Sequence, residues 1–202
     1  MINKHKTGMI TRTANHLKSQ IGKRPLVLVG LMGAGKSTIG KRIARILGLR
    51  FCDSDHEIET VSQMTIPELF AIYGEQEFRN LERRVIFRLL NEGPLVIATG
   101  GGAFMNFEIR RAIRERGLSV WLSADIDVLL ERVSRKNNRP LLRTGNPRDI
   151  MKKLMYERYP VYAEADITMQ SRNIGHNILA RNIIRTVDCY LTAQREFVLN
   201  ED

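Results

Sequence analysis

Five short apolar runs punctuate a chain that is otherwise mixed: Leu26–Val29, Leu49–Cys52, Leu95–Ala98, Ser119–Leu122 and Ile167–Met169. They are largely aliphatic, many β-branched, and show no sustained alternation with polar residues. That is the pattern of strands buried on both faces. Between them, apolar residues return every three or four positions. Ile39, Ile43, Ile46 and Leu47 define one helix that stops at Gly48. Thr65-Ile-Pro67-Glu68 reads as a capping box that opens a short helix ending at Gly74. A further helix starts near Glu75, with Phe78, Leu81, Val85 and Leu89 on one face and Arg79, Glu82 and Arg83 off it. Asn106–Arg116, Asp125–Arg135, Arg148–Ala165 (interrupted at Pro160) and Asn177–Phe197 complete the helical set.

Buried strands separated by amphipathic helices predict a parallel sheet covered on both faces. Right-handed crossovers make this an α/β fold, a three-layer α/β/α sandwich with a five-stranded parallel sheet. Its ligands belong at the carboxyl ends of the strands. The excursion between the second and third strands, about residues 54–82, is placed as a substrate-binding lobe. Residues 136–147 are basic and polar with Gly145 and Pro147, the composition of a mobile loop, and a lid is placed at about 134–147. The expected organisation is a basic extension over 1–24, a single domain over 25–192 and a tail over 193–202.

Charge changes this picture little. The chain carries +10, yet Met1 to Arg24 holds six basic residues and no acid. The remainder has 26 basic against 22 acidic residues, near +4. That surplus suits a protein holding anionic small molecules, and neither nucleic acid nor membrane is an expected partner. Several arrangements fit the basic head. It can be a flexible or weakly helical extension, a transit segment, a weak nucleic-acid or membrane tether, or a short helix docked through Ile10, Ala14, Leu17 and Ile21. No apolar run reaches membrane-spanning length. Cys52 and Cys189 are far apart without metal spacing, so reduced thiols in a soluble, cytoplasmic protein are expected.

The chemistry starts after the first strand. Gly30-Leu-Met-Gly33-Ala34-Gly35-Lys36-Ser37-Thr38 fits G-x-x-x-x-G-K-[ST] in a strand–turn–helix context. Backbone N–H groups and a helix N-terminus then form a cradle for a nucleoside triphosphate. Lys36 would reach the terminal phosphates, and the Ser37 hydroxyl would sit on Mg²⁺. Asp53-Ser54-Asp55 follows the second strand, where residues i and i+2 of extended backbone face one side. One carboxylate can hold Mg²⁺ while the other accepts a proton from an attacking hydroxyl. Capping of the following helix by Asp53 is compatible with both roles. The third strand ends in Thr99, where a triphosphatase normally places an acid, so Asp53 is the best-placed metal carboxylate. Gly100-Gly101-Gly102 then lets a ligand approach the main chain.

Arg79, Arg132, Arg139 and Arg158 are candidates for binding carboxylate or phosphate. Arg83, Arg84, Arg88, Arg110, Arg111, Arg114 and Arg116 are read as solvated charges.

Taken together, Gly30–Gly40, Phe51-Cys-Asp53-Ser-Asp55, Gly74-Glu-Gln-Glu-Phe78-Arg79, Gly100-Gly-Gly102-Ala103, Arg139-Pro-Leu-Leu142 and Arg158-x-Pro160-x-Tyr162 resemble the shikimate kinase family. They run in order across about Leu26 to Met169. The resemblance implies a P-loop, nucleoside-monophosphate-kinase-like fold with a mobile lid. It also implies transfer of a phosphoryl group from ATP to the 3-hydroxyl of shikimate, in the pathway to chorismate and aromatic amino acids. By position it implies Lys36 on the transferring phosphoryl, Ser37 and Asp53 on Mg²⁺, and Asp55 as base or orienting group. Arg79 and Arg158 would clamp the shikimate carboxylate, and Gly101 and Gly102 would line its pocket. Arg139 would descend from the lid, Arg132 would lie near adenine, and a monomer is expected. Another small-molecule or nucleotide kinase of the same fold, gluconate-type, is the nearest alternative. A nucleotide-binding regulatory ATPase is a more distant one.

Overall fold

All five apolar runs become strands: β1 (Leu26–Val29), β2 (Arg50–Asp53), β3 (Leu95–Ala98), β4 (Leu118–Ser123) and β5 (Ile167–Gln170). In the computed structural model, which describes residues 2–134, 146–171 and 174–199, they pair in parallel in the order β2-β3-β1-β4-β5. β1 and β3 are buried along their whole length, as two-sided coverage by helices requires. The helices are α1 (Ile2–Ile21), α2 (Lys36–Leu47), α3 (Ser54–Ser62), α4 (Ile66–Asn91), α5 (Phe107–Arg116), α6 (Ile126–Ser134), α7 (Pro147–Tyr162) and α8 (His176–Leu199). A 3-10 turn, Ala103–Met105, follows the glycine run. Because β1 sits between β3 and β4, chain leaving β1 emerges where the strand order reverses, and that crevice is open to a ligand.

Three local features differ from expectation. β2 is shifted one residue later. Leu49 donates its N–H to Ala44 O at 2.9 Å and so belongs to the close of α2, while Asp53 pairs with Ala98 at the end of the ladder. α3 starts at Ser54, so Asp55 lies in its first turn, not on extended backbone, and the alternation argument for its direction does not hold. Finally, Pro160 does not interrupt α7. It sits in the last turn, where its missing N–H removes only one late hydrogen bond.

Thr65 and Glu68 form the capping box at the start of α4. The run continues to Asn91 across a kink at Gly74 (φ 76°, ψ 175°), a conformation open to glycine and costly for other residues. At the other end of the chain, α1 packs along α8 and α2. Its Ala14, Leu17 and Ile21 are buried in the common core. His16 pairs with Asp188 at 2.8 Å, and the Gln20 amide donates to Thr192 Oγ1 at 2.9 Å.

Candidate active site

The turn after β1 wraps into a loop whose groups are already organised. Gly33 (φ 82°) passes so near α6 that a Cβ would stand 2.9 Å from Val133 and 3.0 Å from Leu129 O. Only glycine fits that approach. Ala34 is fully buried, and Gly35 hands the chain to α2, whose first residues are Lys36, Ser37 and Thr38. The Lys36 Nζ folds back to donate to Gly30 O at 2.6 Å and Leu31 O at 2.9 Å, which stations its charge over the loop.

A cleft of about 380 Å³ opens there. Gly33, Gly35, Lys36, Ser37, Thr38, Asp53, Asp55, Thr99 and Gly101 line it, together with Glu131, Arg132, Ile174 and His176. Ser37 Oγ donates to Asp53 Oδ2 at 2.5 Å. Asp53 also caps α3, its Oδ1 accepting from Asp55 N at 3.2 Å. This pair of adjacent oxygen ligands suits Mg²⁺, which keeps several waters and phosphate oxygens and needs few protein groups. Among the described residues, no cluster of three or more His, Cys, Asp or Glu offers a fuller metal cage.

Arg132 Nη1 donates to Ser171 Oγ at 2.8 Å and to Gly33 O at 3.4 Å, tying α6 to the loop and to the turn after β5. His176, at the start of α8, has its pKa lowered by burial and by the Arg42 and Arg132 charges. Arg139 lies outside the described residues.

Arg79, Gly102 and Arg158 do not line that cleft. They converge on the glycine run beside it. Arg158 Nη1 donates to Gly101 O at 3.1 Å, and the Tyr162 hydroxyl donates to the same oxygen. The Arg79 guanidinium lies against Gly102, its nitrogens 2.7 and 2.8 Å from where a Cβ would be. On the third side, Asp55 Oδ1 would be 2.5 Å from a Cβ on Gly100. The buried Ser54 hydroxyl accepts from Gly100 N at 2.9 Å and locks α3 to the glycine turn.

Glu82 was missed from sequence. Its spacing puts it off the apolar face of its helix, yet it is 1% exposed, and Arg79 Nη1 donates to its Oε2 at 2.8 Å. Burial raises the Glu82 carboxyl above its ordinary range, and nearby Asp55 adds to this. Arg79 and Arg158 pull the other way. Burial alone would lower the Arg79 guanidinium, but Glu82 and Glu75 more than offset it and hold it above its usual value. The spacing i, i+3 on a helix was the available signal. Arg110 also departs from the solvated reading. It donates to Phe104 O and Met105 O at 2.9 Å and to Glu164 at 3.1 Å, bracing the turn behind the glycines.

This geometry has counterparts of known family. A family model described as shikimate kinase matches residues 32–188. A shikimate kinase of Brucella canis is 54% identical over 184 residues, spanning 91% of this chain and 92% of that protein.

The chain belongs to the shikimate kinase family.

The shikimate kinase of Bartonella quintana is 56% identical over 90% of this chain and 87% of its own. A solved shikimate kinase from Acinetobacter baumannii, in complex with shikimate, superposes with a TM-score of 0.80 at 38% identity. It covers 85% of this chain and 96% of that one. A gluconokinase from Sinorhizobium meliloti shares the fold at a TM-score of 0.54 and 18% identity.

Proposed function

We propose that this shikimate kinase moves the γ-phosphoryl group of ATP to the 3-hydroxyl of shikimate, giving shikimate 3-phosphate and ADP on the route to chorismate and aromatic amino acids. The observation that carries the residue assignments is the joining of two half-sites at Gly101. The phosphate loop and its carboxylates lie on one side, and two arginines lie against the glycine turn on the other. An acceptor with a carboxylate and several hydroxyls matches that second half.

The loop N–H groups and Lys36 hold the triphosphate and neutralise charge on the transferring group. Asp55 orients the acceptor hydroxyl and takes its proton, since it faces both the cleft and the glycine turn. Arg158 and Arg79 hold the acceptor carboxylate with forked hydrogen bonds, and Gly101 and Gly102 let it lie close to the main chain. Ser37 and Asp53 would hold Mg²⁺, which would screen charge on the phosphate oxygens. Arg132 lines the cleft together with Ile174 and His176, and the family motif would put it near adenine. Arg139, assigned by its Arg139-Pro-Leu-Leu142 motif alone, would stabilise charge on the transferring phosphoryl group. Both cysteines are free, in keeping with a cytoplasmic enzyme, and no described helix is long and apolar enough to cross a membrane.

ADP release measured over shikimate, gluconate and nucleoside monophosphates tests this function. Turnover with shikimate alone is expected, and turnover only with another acceptor overturns it. Lys36→Ala or Asp55→Ala should lower turnover by about a thousandfold or more with the fold intact. Arg139→Ala should lower kcat more than it weakens shikimate binding.

A further inference from the structure

We propose that Tyr162 is a positioning residue for the acceptor half of the site, holding the Gly101 carbonyl and, through it, Arg158. This rests on the proposal that Arg158 grips the acceptor's carboxylate.

Gly100, Gly101 and Gly102 have no side chains to hold their own conformation, so the direction of each peptide must be set from outside. At Gly101 two donors do so. The Tyr162 hydroxyl and Arg158 Nη1 both donate to its carbonyl oxygen, whose two lone pairs can accept both. The peptide is planar, so fixing the Gly101 C=O also fixes the direction of the Gly102 N–H on its opposite edge. Arg158 and Tyr162 are four residues apart on α7 and share one helix face.

The phenol cannot wander. Tyr162 is fully buried, with the rings of Trp121, Phe104 and Tyr159 centred 6.0, 6.3 and 6.4 Å away. Burial pushes its pKa up to about 12, opposed by Arg158, so the hydroxyl stays a donor at working pH. An aromatic box thus aims one hydroxyl at the carbonyl on which Arg158 also rests.

Tyr162→Phe keeps the ring and removes only the hydroxyl. Steady-state kinetics of the wild type, Tyr162→Phe, Arg158→Ala and the double variant test the proposal, alongside thermal melts. Tyr162→Phe should raise KM for shikimate about tenfold, the loss of one well-placed hydrogen bond. Its kcat should stay within about threefold of the wild type and its KM for ATP should not move. The double variant should be little worse than Arg158→Ala alone, because both residues act at one carbonyl. If Arg158→Ala raises KM for shikimate and Tyr162→Phe does not, the positioning role is overturned and the carboxylate grip stands. If Arg158→Ala leaves KM unchanged, the grip fails and takes the proposal with it. Additive effects in the double variant also overturn it. So does a fall in melting temperature accompanied by a parallel rise in both KM values, which marks a merely structural role.

Discussion

The Ser37 hydroxyl donates to the Asp53 carboxylate at 2.5 Å, joining the start of α2 to the end of β2. Thr99, at the end of β3, instead turns its hydroxyl to Leu28 O at 3.1 Å. The carboxylate available to a metal at this loop therefore comes from β2. Asp53→Ala should weaken the apparent affinity for Mg²⁺ in the kinase assay by about tenfold or more, with turnover partly recovered at high Mg²⁺. The lost helix cap should cost about 1 kcal/mol in urea melts. An unchanged Mg²⁺ requirement would remove Asp53 from the metal site.

Arg79 and Glu82 form a partly buried ion pair, and removing the arginine leaves an enclosed carboxylate without its largest stabilising charge, with Arg158 still acting on it. Arg79→Ala should destabilise the fold by about 2–3 kcal/mol near neutral pH. That is below the usual range for breaking a fully buried pair, because the Arg79 side chain is 30% exposed. The loss should depend on pH. Burial already raises the Glu82 carboxyl in the folded state, and without Arg79 it rises further. Stability from such a group is fully present below its unfolded-state value, about 4.3, and is lost as pH rises through the higher folded-state value. Paired urea melts at pH 5 and pH 8 should show a smaller gap from wild type at pH 5, and an equal gap at both would contradict this.

Gly102 is glycine because of what lies over it. A methyl group there would meet the Arg79 guanidinium nitrogens at 2.7 and 2.8 Å, so the guanidinium must move aside. Gly102→Ala should raise KM for shikimate about tenfold and leave KM for ATP unchanged, since the phosphate loop is untouched. Equal increases in the two would point to a general distortion of the site.

Leu17 of α1 is fully buried against the core, although the segment that carries it precedes the first strand. Leu17→Ala should cost about 2–5 kcal/mol, as for other buried leucines, while leaving both KM values unchanged at low temperature. A change of less than about 0.5 kcal/mol in chemical denaturation would mean that α1 does not stay docked in solution.

Much of the site was legible because it is local in the chain. The phosphate loop, its strand and its helix are contiguous, so the spacing of Gly30, Gly35, Lys36 and Ser37 is also their geometry. The strands were legible for a related reason, since burial on both faces leaves an uninterrupted apolar run. Boundaries were harder. Leu49 looks like strand by composition but closes α2, and α3 starts directly after β2 at Ser54, which puts Asp55 in a helical turn and not on extended backbone.

Charged residues on helices show most clearly where sequence stops. Glu82 and Arg110 sit on helices beside exposed neighbours such as Arg84 and Arg111, and beyond the i, i+3 spacing of Arg79 and Glu82 nothing in the chain near them marks them out. Each is buried or half-buried because a distant segment folds over it: the glycine turn with Asp55 and Arg158 for Glu82, the 3-10 turn and Glu164 for Arg110. By itself the sequence determined the layer order and the residues of the phosphate loop, and it named candidate acids and arginines, since backbone spacing and side-chain chemistry are written residue by residue. Only the tertiary structure decided which of those charges lose their water, because desolvation depends on what packs across from a residue and not on its neighbours in the chain.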